Sequence, residues 1–257
     1  MTPWSAFPYD ASPYRYDARS LRQNWARLHA GDAEPLPQDE RVLAAWALCH
    51  AGEFQKAAEA GLKAGGAGLT VANKAQAIYA HYLEGSESKK LALLLEVAAR
   101  AEAQADADPG NANAFYFQAY ALGRYAQGLS VAKALAQGLG ARVKGALETT
   151  IRLAPRHADA HIALGVFHAE VIDKVGALLG RPLGADKATG LELFRQALRL
   201  HPGSAIAMLE YANGLVMLEG EKQRPQAERL YADAAACGPM DAIERLDVER
   251  AKAELQE

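Results

Sequence analysis

The chain has 257 residues, 31 acidic and 28 basic, giving a net charge of −3 with neutral histidine. That balance supplies no global argument for a nucleic-acid binder or an acidic tail protein. Half of the residues are hydrophobic and 56 of the 257 are alanine, the residue with the highest helix propensity and the smallest bar to close helix packing; the composition points to an all-α chain with a sizeable core.

In chain order, residues 1–16 are rich in aromatics and proline (Trp4, Phe7, Tyr9, Tyr14, Tyr16) and read as an extended arm packed on the body. Residues 1–9 lack the charged and apolar regions of a signal peptide. Residues 19–29 place Leu21, Trp25 and Leu28 on one helical face, and residues 32–38 form a proline-containing linker. His50-Ala-Gly52-Glu-Phe54-Gln-Lys-Ala57 has the form of a turn between two helices. Residues 73–83 and 89–107 make the next hairpin. The densest β-branched stretch, residues 69–71, is too short for a strand. The longest apolar stretch, around residues 91–95, falls well short of the ~20 residues a membrane helix needs. Cys49 and Cys237 are far apart with no ligand-spaced partners and read as reduced thiols of a cytoplasmic protein.

From residue 106 onward a repeat appears. Prolines end helical segments at Asp106-Ala-Asp-Pro109, Arg152-Leu-Ala-Pro155, Arg199-Leu-His-Pro202 and Ala236-Cys-Gly-Pro239, spaced 46, 47 and 37 residues apart. After the first three comes a short polar cap, at Asn111, His157 and Ser204, and then an alanine-studded helix. Superposed, these helices bring Ala119, Gly165 and Ala212 to one position, where a small residue lets two antiparallel helices close on each other. The following helix carries Phe194 and Ala197 before Pro202, and Ala227, Tyr231 and Ala234 before Pro239. With the Gly52–Phe54–Ala57 turn, this set resembles the tetratricopeptide repeat (TPR) family. Two units exceed the usual repeat of ~34 residues by about a dozen, through partly apolar, glycine-punctuated inserts at residues 127–145 and 171–188. Such long hairpins are similar to those of the regulator of microtubule dynamics group and of periplasmic solenoid subunits of some transporters.

Signals for chemistry are sparse. His157, His161 and His168 stand at helical spacings of four and seven, with Glu170 and Asp173 following, a set that a Zn²⁺-like ion would accept; the cap position of His157 and the packing slot of His161 favour structural histidines. The glycine-rich stretch 176–190 lacks the Gly-Lys-Ser/Thr order and the preceding strand of a phosphate loop, and no nucleophile elbow or His-Glu-x-x-His is present. Carboxylates such as Glu219 and Glu221 read as solvated. No acid occurs between Asp108 and Glu148, while Arg124, Lys133, Arg142 and Lys144 supply four positive charges. The bases Lys133, Arg142 and Lys144 form a candidate basic stripe, able to meet an acidic peptide, a phosphorylated ligand or an anionic head group, or else ordinary scatter on a solvated face.

The family resemblance implies which residues face the concave surface: Asn113, Tyr116, Tyr120 and Arg124 around Ala119; Asp159, Ile162, Val166 and Glu170 around Gly165; Leu209, Asn213 and Met217 around Ala212. An insert or the arm filling that groove is the alternative. The fold class expected is an all-α, TPR-like right-handed solenoid of four to five hairpins. Residues 1–38 would form an arm and first helix, residues 39–257 a single solenoid domain, and residues 241–257 a last helix capped by Asp241 with Glu244 that covers the exposed end. The expected function is a non-catalytic scaffold for a protein or peptide, or a carrier or sensor of an apolar or anionic small molecule. No cofactor, nucleic acid or membrane insertion is expected.

Overall fold

The structure, a computed structural model, describes residues 3–256; Met1 and Thr2 of the expected arm and Glu257 of the expected last helix lie outside the described residues. Among the described residues there are thirteen α-helices and no strand. Two compact units are formed, one by residues up to 29, 34–149 and 240–243, the other by residues 30–33, 150–239 and 244 onward.

In the first unit the arm packs as the sequence predicts. The Trp4 ring stacks on Tyr79 at 4.3 Å, and Ser5 N donates to the Tyr79 hydroxyl. Phe7 lies against Gly52, whose φ of +78° suits the helix-to-helix turn and whose missing Cβ would otherwise come within 2.8 Å of that ring. Helix α1 (Ala18–Leu28) starts in a reciprocal cap between Asp17 and Ser20 and buries Leu21, Trp25 and Leu28. Then follow α2 (Glu40–His50), α3 (Phe54–Ala64), α4 (Gly68–Tyr82), α5 (Glu87–Ala107), α6 (Ala112–Gln127) and the short α7 (Val131–Ala136). Helices α2, α4 and α6 touch one another in order; α3 lies against α2 and α4, and α5 against α4 and α6. The α3–α4 crossing is closed by two glycines, since a Cβ on Gly61 would sit 2.5 Å from the Gly68 carbonyl and a Cβ on Gly68 equally near that of Gly61. Between α4 and α5, Arg100 donates to Asn73 Oδ1 and Gln76 Oε1, Asn73 to Gln104 and Gln104 to Thr70. This pairing satisfies polar groups that burial would otherwise penalise.

Helix α8 (Leu139–Leu153) and helix α13 (Ala242–Glu254) each have residues in both units. The second unit holds α9 (Ala158–Gly180), α10 (Lys187–Leu200), α11 (Ala205–Glu219) and α12 (Arg224–Ala235). Helix α10 packs against both α9 and α11, and α12 against α11. Phe194 of α10 is fully buried with glycine on both sides. A Cβ on Gly165 of α9 would lie 2.9 Å from its ring, and one on Gly214 of α11 only 2.4 Å away. Val248 and Ala251 of α13 cover Leu209 and Ala234, which places the last helix over the end of α11 and α12 as expected.

The repeat has a local cause. Prolines 109, 155 and 202 each lie two residues beyond a helix end, because the residue before proline is driven out of the helical region. In each case the turn closes by a backbone hydrogen bond, Asn111 N to Asp108 O, His157 N to Ala154 O and Ser204 N to His201 O, at 2.9–3.2 Å. The same residue then caps the next helix: Asn111 Oδ1 accepts from Ala114 N, His157 Nδ1 from Ala160 N and Ser204 Oγ from Ala207 N. The two inserts are used differently. The first adds α7 ahead of α8; the second lengthens α9, which is interrupted at Gly176 (φ +80°, ψ 159°).

Gly214→Ala should overpack Phe194 and destabilise the protein by about 1–3 kcal/mol, and Phe194→Ala by about 3–5 kcal/mol. Urea unfolding followed by circular dichroism measures both, and a Gly214→Ala variant as stable as the wild type would contradict the packing described.

Candidate functional site

Helices α3, α5 and α10 each lie between two helices of the other layer; the layers of α2, α4 and α6, and of α9 and α11, are those to which the repeat resemblance assigns the concave surface, here called the inner side. In the first unit much of that inner side is occupied by the chain itself. Trp25 meets Trp46 edge-on at 5.9 Å, and His29 stacks on Trp25 at 4.0 Å while facing Trp46 and His50. Glu34, buried, takes a hydrogen bond from Trp25 Nε1 on its carbonyl and another from Asn113 Nδ2 on its carboxylate at 2.6 Å. Asn113, a predicted groove residue, is therefore covered by the segment after α1.

Beneath this plug lies a buried chain of titratable groups. His50 Nδ1 is 2.8 Å from Asp241 Oδ2, with the two side chains 0% and 4% exposed, and His50 Nε2 is 3.3 Å from His29 Nε2. A carboxylate only accepts, so Nδ1 of His50 carries the proton; a neutral His50 then accepts at Nε2 from His29. The Tyr16 hydroxyl donates to Met240 O in the same place. Asp241, expected as a helix cap, thus holds residues 240–243 against α2.

The rest of the inner side of the first unit carries aromatic and cationic groups. Tyr120 OH and His81 Nδ1 are 2.7 Å apart. The Arg124 guanidinium lies 5.5 Å from the Tyr120 ring centre, where the ring's negative face attracts a cation, and its Nη1 donates to Gln127. Tyr116 packs 6.0 Å from Tyr120 but is itself buried. Tyr82, next to His81, is half-buried. His81 and Tyr82 are absent from the sequence reading because α4 has no proline turn and cap before it, so it offers no register to align with α6.

In the second unit the predicted residues scatter. Asp159 N donates to Gly31 O at 3.0 Å, and its carboxylate fills the space a Cβ on Gly31 would take. Ile162 is buried against Ala197 and Ala207, and Leu209 is fully buried in the core under α13. Asn213 accepts from the Tyr231 hydroxyl of α12, whose pKa is raised by burial. Glu170 is half-buried and ion-paired with Lys174 one turn on; Val166 is half-buried and Met217 exposed.

The histidine trio is built into the fold. His157 caps α9, His161 Nδ1 bonds the His157 carbonyl, and His168 Nδ1 accepts from Asp186 N at the start of α10. Among the described residues no group of three His, Cys, Asp or Glu side chains is placed to hold a metal ion. Within the glycine-rich stretch Asp186 caps α10 through Thr189 N, and Lys187 pairs with Glu219. Hydrogen bonds from Lys187 and Lys222 lower the Glu219 pKa, as the Arg224 guanidinium does for Glu221. Of the basic stripe, Arg142 pairs with Glu102 of α5 and Lys144 with Glu148, whereas Lys133 is exposed on α7.

No protein-family model matches the sequence, and no curated protein matches it. Solved structures do. TTC0263, a thermophilic TPR protein of Thermus thermophilus, aligns over 83% of this chain and 97% of its own, at 18% identity with a TM-score of 0.58. MamA protein aligns over 85% and 97% at 17% identity and TM-score 0.42. YrrB, a TPR protein with an unusual peptide-binding site, aligns over 92% and 100% at 15% identity and TM-score 0.41. The likeness to the Thermus protein is one of fold, and with the repeated turn, cap and small-residue packing it defines this chain as a TPR-like helical-repeat protein.

Asp241→Ala should cost about 1–3 kcal/mol, because the buried Nδ1–H of His50 loses its acceptor. Asp241→Asn, which retains an acceptor oxygen, should cost clearly less. Chemical denaturation decides, and an Asp241→Ala variant within about 0.5 kcal/mol of wild type would remove the pair from the stability of the first unit.

Proposed function

We propose that this protein is a non-catalytic scaffold that binds a protein or peptide on the inner helix layer of its TPR-like repeats, in the cytoplasm. The observation that carries the reading is the His81–Tyr120–Arg124 cluster on α4 and α6. It combines half-buried aromatic surface, which contributes much contact area with few rotors to freeze, and a cation over a ring; such groups dominate interface energetics. Within this reading Tyr116 supports the cluster from below, Asn113 holds Glu34 of the plugging segment, and in the second unit Asp159 is committed to Gly31. Of the second unit's predicted residues, Glu170 and Met217 have the exposure that contact requires. Among the described residues no helix is long and apolar enough to cross a membrane, and Cys49 and Cys237 are thiols, as a reducing compartment would keep them.

A second reading, the carrier of an apolar or anionic small molecule, is favoured by a cleft of about 610 Å³ in the first unit. Tyr16, Leu21, Leu43, Ala47 and Leu48 line it together with Arg15 and Glu40, and its size lies within the ~300–1,000 Å³ of small-molecule sites. It is formed between the arm and the face of α2.

Peptides selected from a displayed library on the full chain, then titrated by calorimetry, test the scaffold reading. Tyr120→Ala should weaken a selected peptide by about 2 kcal/mol or more, and Arg124→Ala by a smaller amount. Binding indifferent to both substitutions would refute the assigned surface. Native mass spectrometry of gently purified protein tests the carrier reading: a stoichiometric added mass of a few hundred daltons, lost in Leu43→Trp, is its expected outcome.

A further inference from the structure

The cleft between the arm and α2 keeps one charged group that the fold leaves open. Four polar side chains border it: Arg15, Tyr16, Glu40 and Glu53. Three of them are committed. Glu40 is ion-paired with Arg22 of α1, Glu53 with Lys56 of α3 at 2.9 Å, and the Tyr16 hydroxyl donates to Met240 O. Arg15 is exposed, and among the described residues no carboxylate lies within ion-pair distance of its guanidinium. Asp10 feels Arg15 from further off; what holds that carboxylate is Ser12, through its N at 2.9 Å and its Oγ at 2.7 Å. With the two glutamates balanced by their own partners, the charge left for a ligand is the single positive charge of Arg15. The rest of the lining is alkyl. Leu21 and Leu43 are buried in its wall and Leu48 is half-buried. Ala44, Ala47 and Ala51 share one face of α2 by their spacing of three and four, and their short side chains leave the volume of about 610 Å³ open.

We propose that this cleft binds a medium-chain carboxylic acid, with the carboxylate on the Arg15 guanidinium and the alkyl chain along α2. A guanidinium fork matches a carboxylate in shape and charge, and one unpaired cation balances one negative charge, not the two of a phosphate monoester. A cationic or neutral amphiphile would leave the guanidinium unanswered. A small polar anion would leave the leucine and alanine wall against water, and burying that wall is what rewards a tail. The proposal rests on the carrier reading and adds to it the head group, the residue that receives it and the nature of the tail.

The test is calorimetric titration of the full-length protein with octanoate, decanoate and octanol, each below its micelle or solubility limit. Octanoate should bind about tenfold more tightly than octanol, as a hydrogen bond to a charged group provides. Decanoate should gain about fourfold for each added methylene. Arg15→Gln should remove the advantage of the acid and leave octanol binding unchanged. Ala44→Trp, at an exposed position of α2, should fill the cleft and abolish binding of both while circular dichroism shows the helices intact. Equal affinity for octanoate and octanol, or octanoate binding untouched by Arg15→Gln, would overturn the proposal and leave the carrier reading standing. Binding that survives Ala44→Trp would place the site elsewhere and overturn it as well. No binding of any of the three probes by the wild type would also overturn it, and the added mass sought by native mass spectrometry would then decide the carrier reading on its own.

Discussion

A phenyl ring held between two glycines organises the second unit. Phe194 fills the contact of α10 with α9 and α11 because Gly165 and Gly214 give up their side chains to it, and Tyr211 stacks on it at 5.5 Å. Close-packed interiors tolerate little volume change, so this arrangement sets the separation of three helices at once. In the first unit a pair of glycines closes a single crossing, where the backbones of Gly61 and Gly68 bring α3 and α4 together.

The turns between repeats make the stacking periodic. Proline ends one helix, a hydrogen-bonded turn follows, and Asn111, His157 or Ser204 begins the next. Three different side chains perform one task because the task needs only an acceptor at the right distance from a backbone N–H. That also explains why a histidine can stand at this position: its Nδ1 lone pair accepts from the N–H at the helix start.

The inner layer is divided between self-recognition and surface that can meet a partner. The segment after α1 spends Glu34 on Asn113 and Gly31 on Asp159, and the Asp241–His50–His29 chain is closed over by tryptophan and tyrosine rings. What is left is the more polar and cationic part near the C-terminal ends of α4 and α6.

Local patterns made the helices, the repeat, the caps and the small packing position at Gly165 legible in the amino-acid order alone. Helix period, proline and capping act over fewer than five residues, and a repeat exposes them by recurrence. The same reading singled out Tyr120 and Arg124 of the proposed surface, because those residues share one face of one helix. Long-range choices were not legible. Asp241 has the spacing of a cap, yet it is 191 residues from the His50 it pairs with. His81 reaches Tyr120 from a helix with no proline turn to set its register. Ile162 and Leu209 sit at positions the repeat pattern assigns to a groove and are buried instead. Such outcomes depend on which segment comes to cover a face, and only the tertiary structure decides that, since burial and pairing are properties of two surfaces and neither is written in one helix.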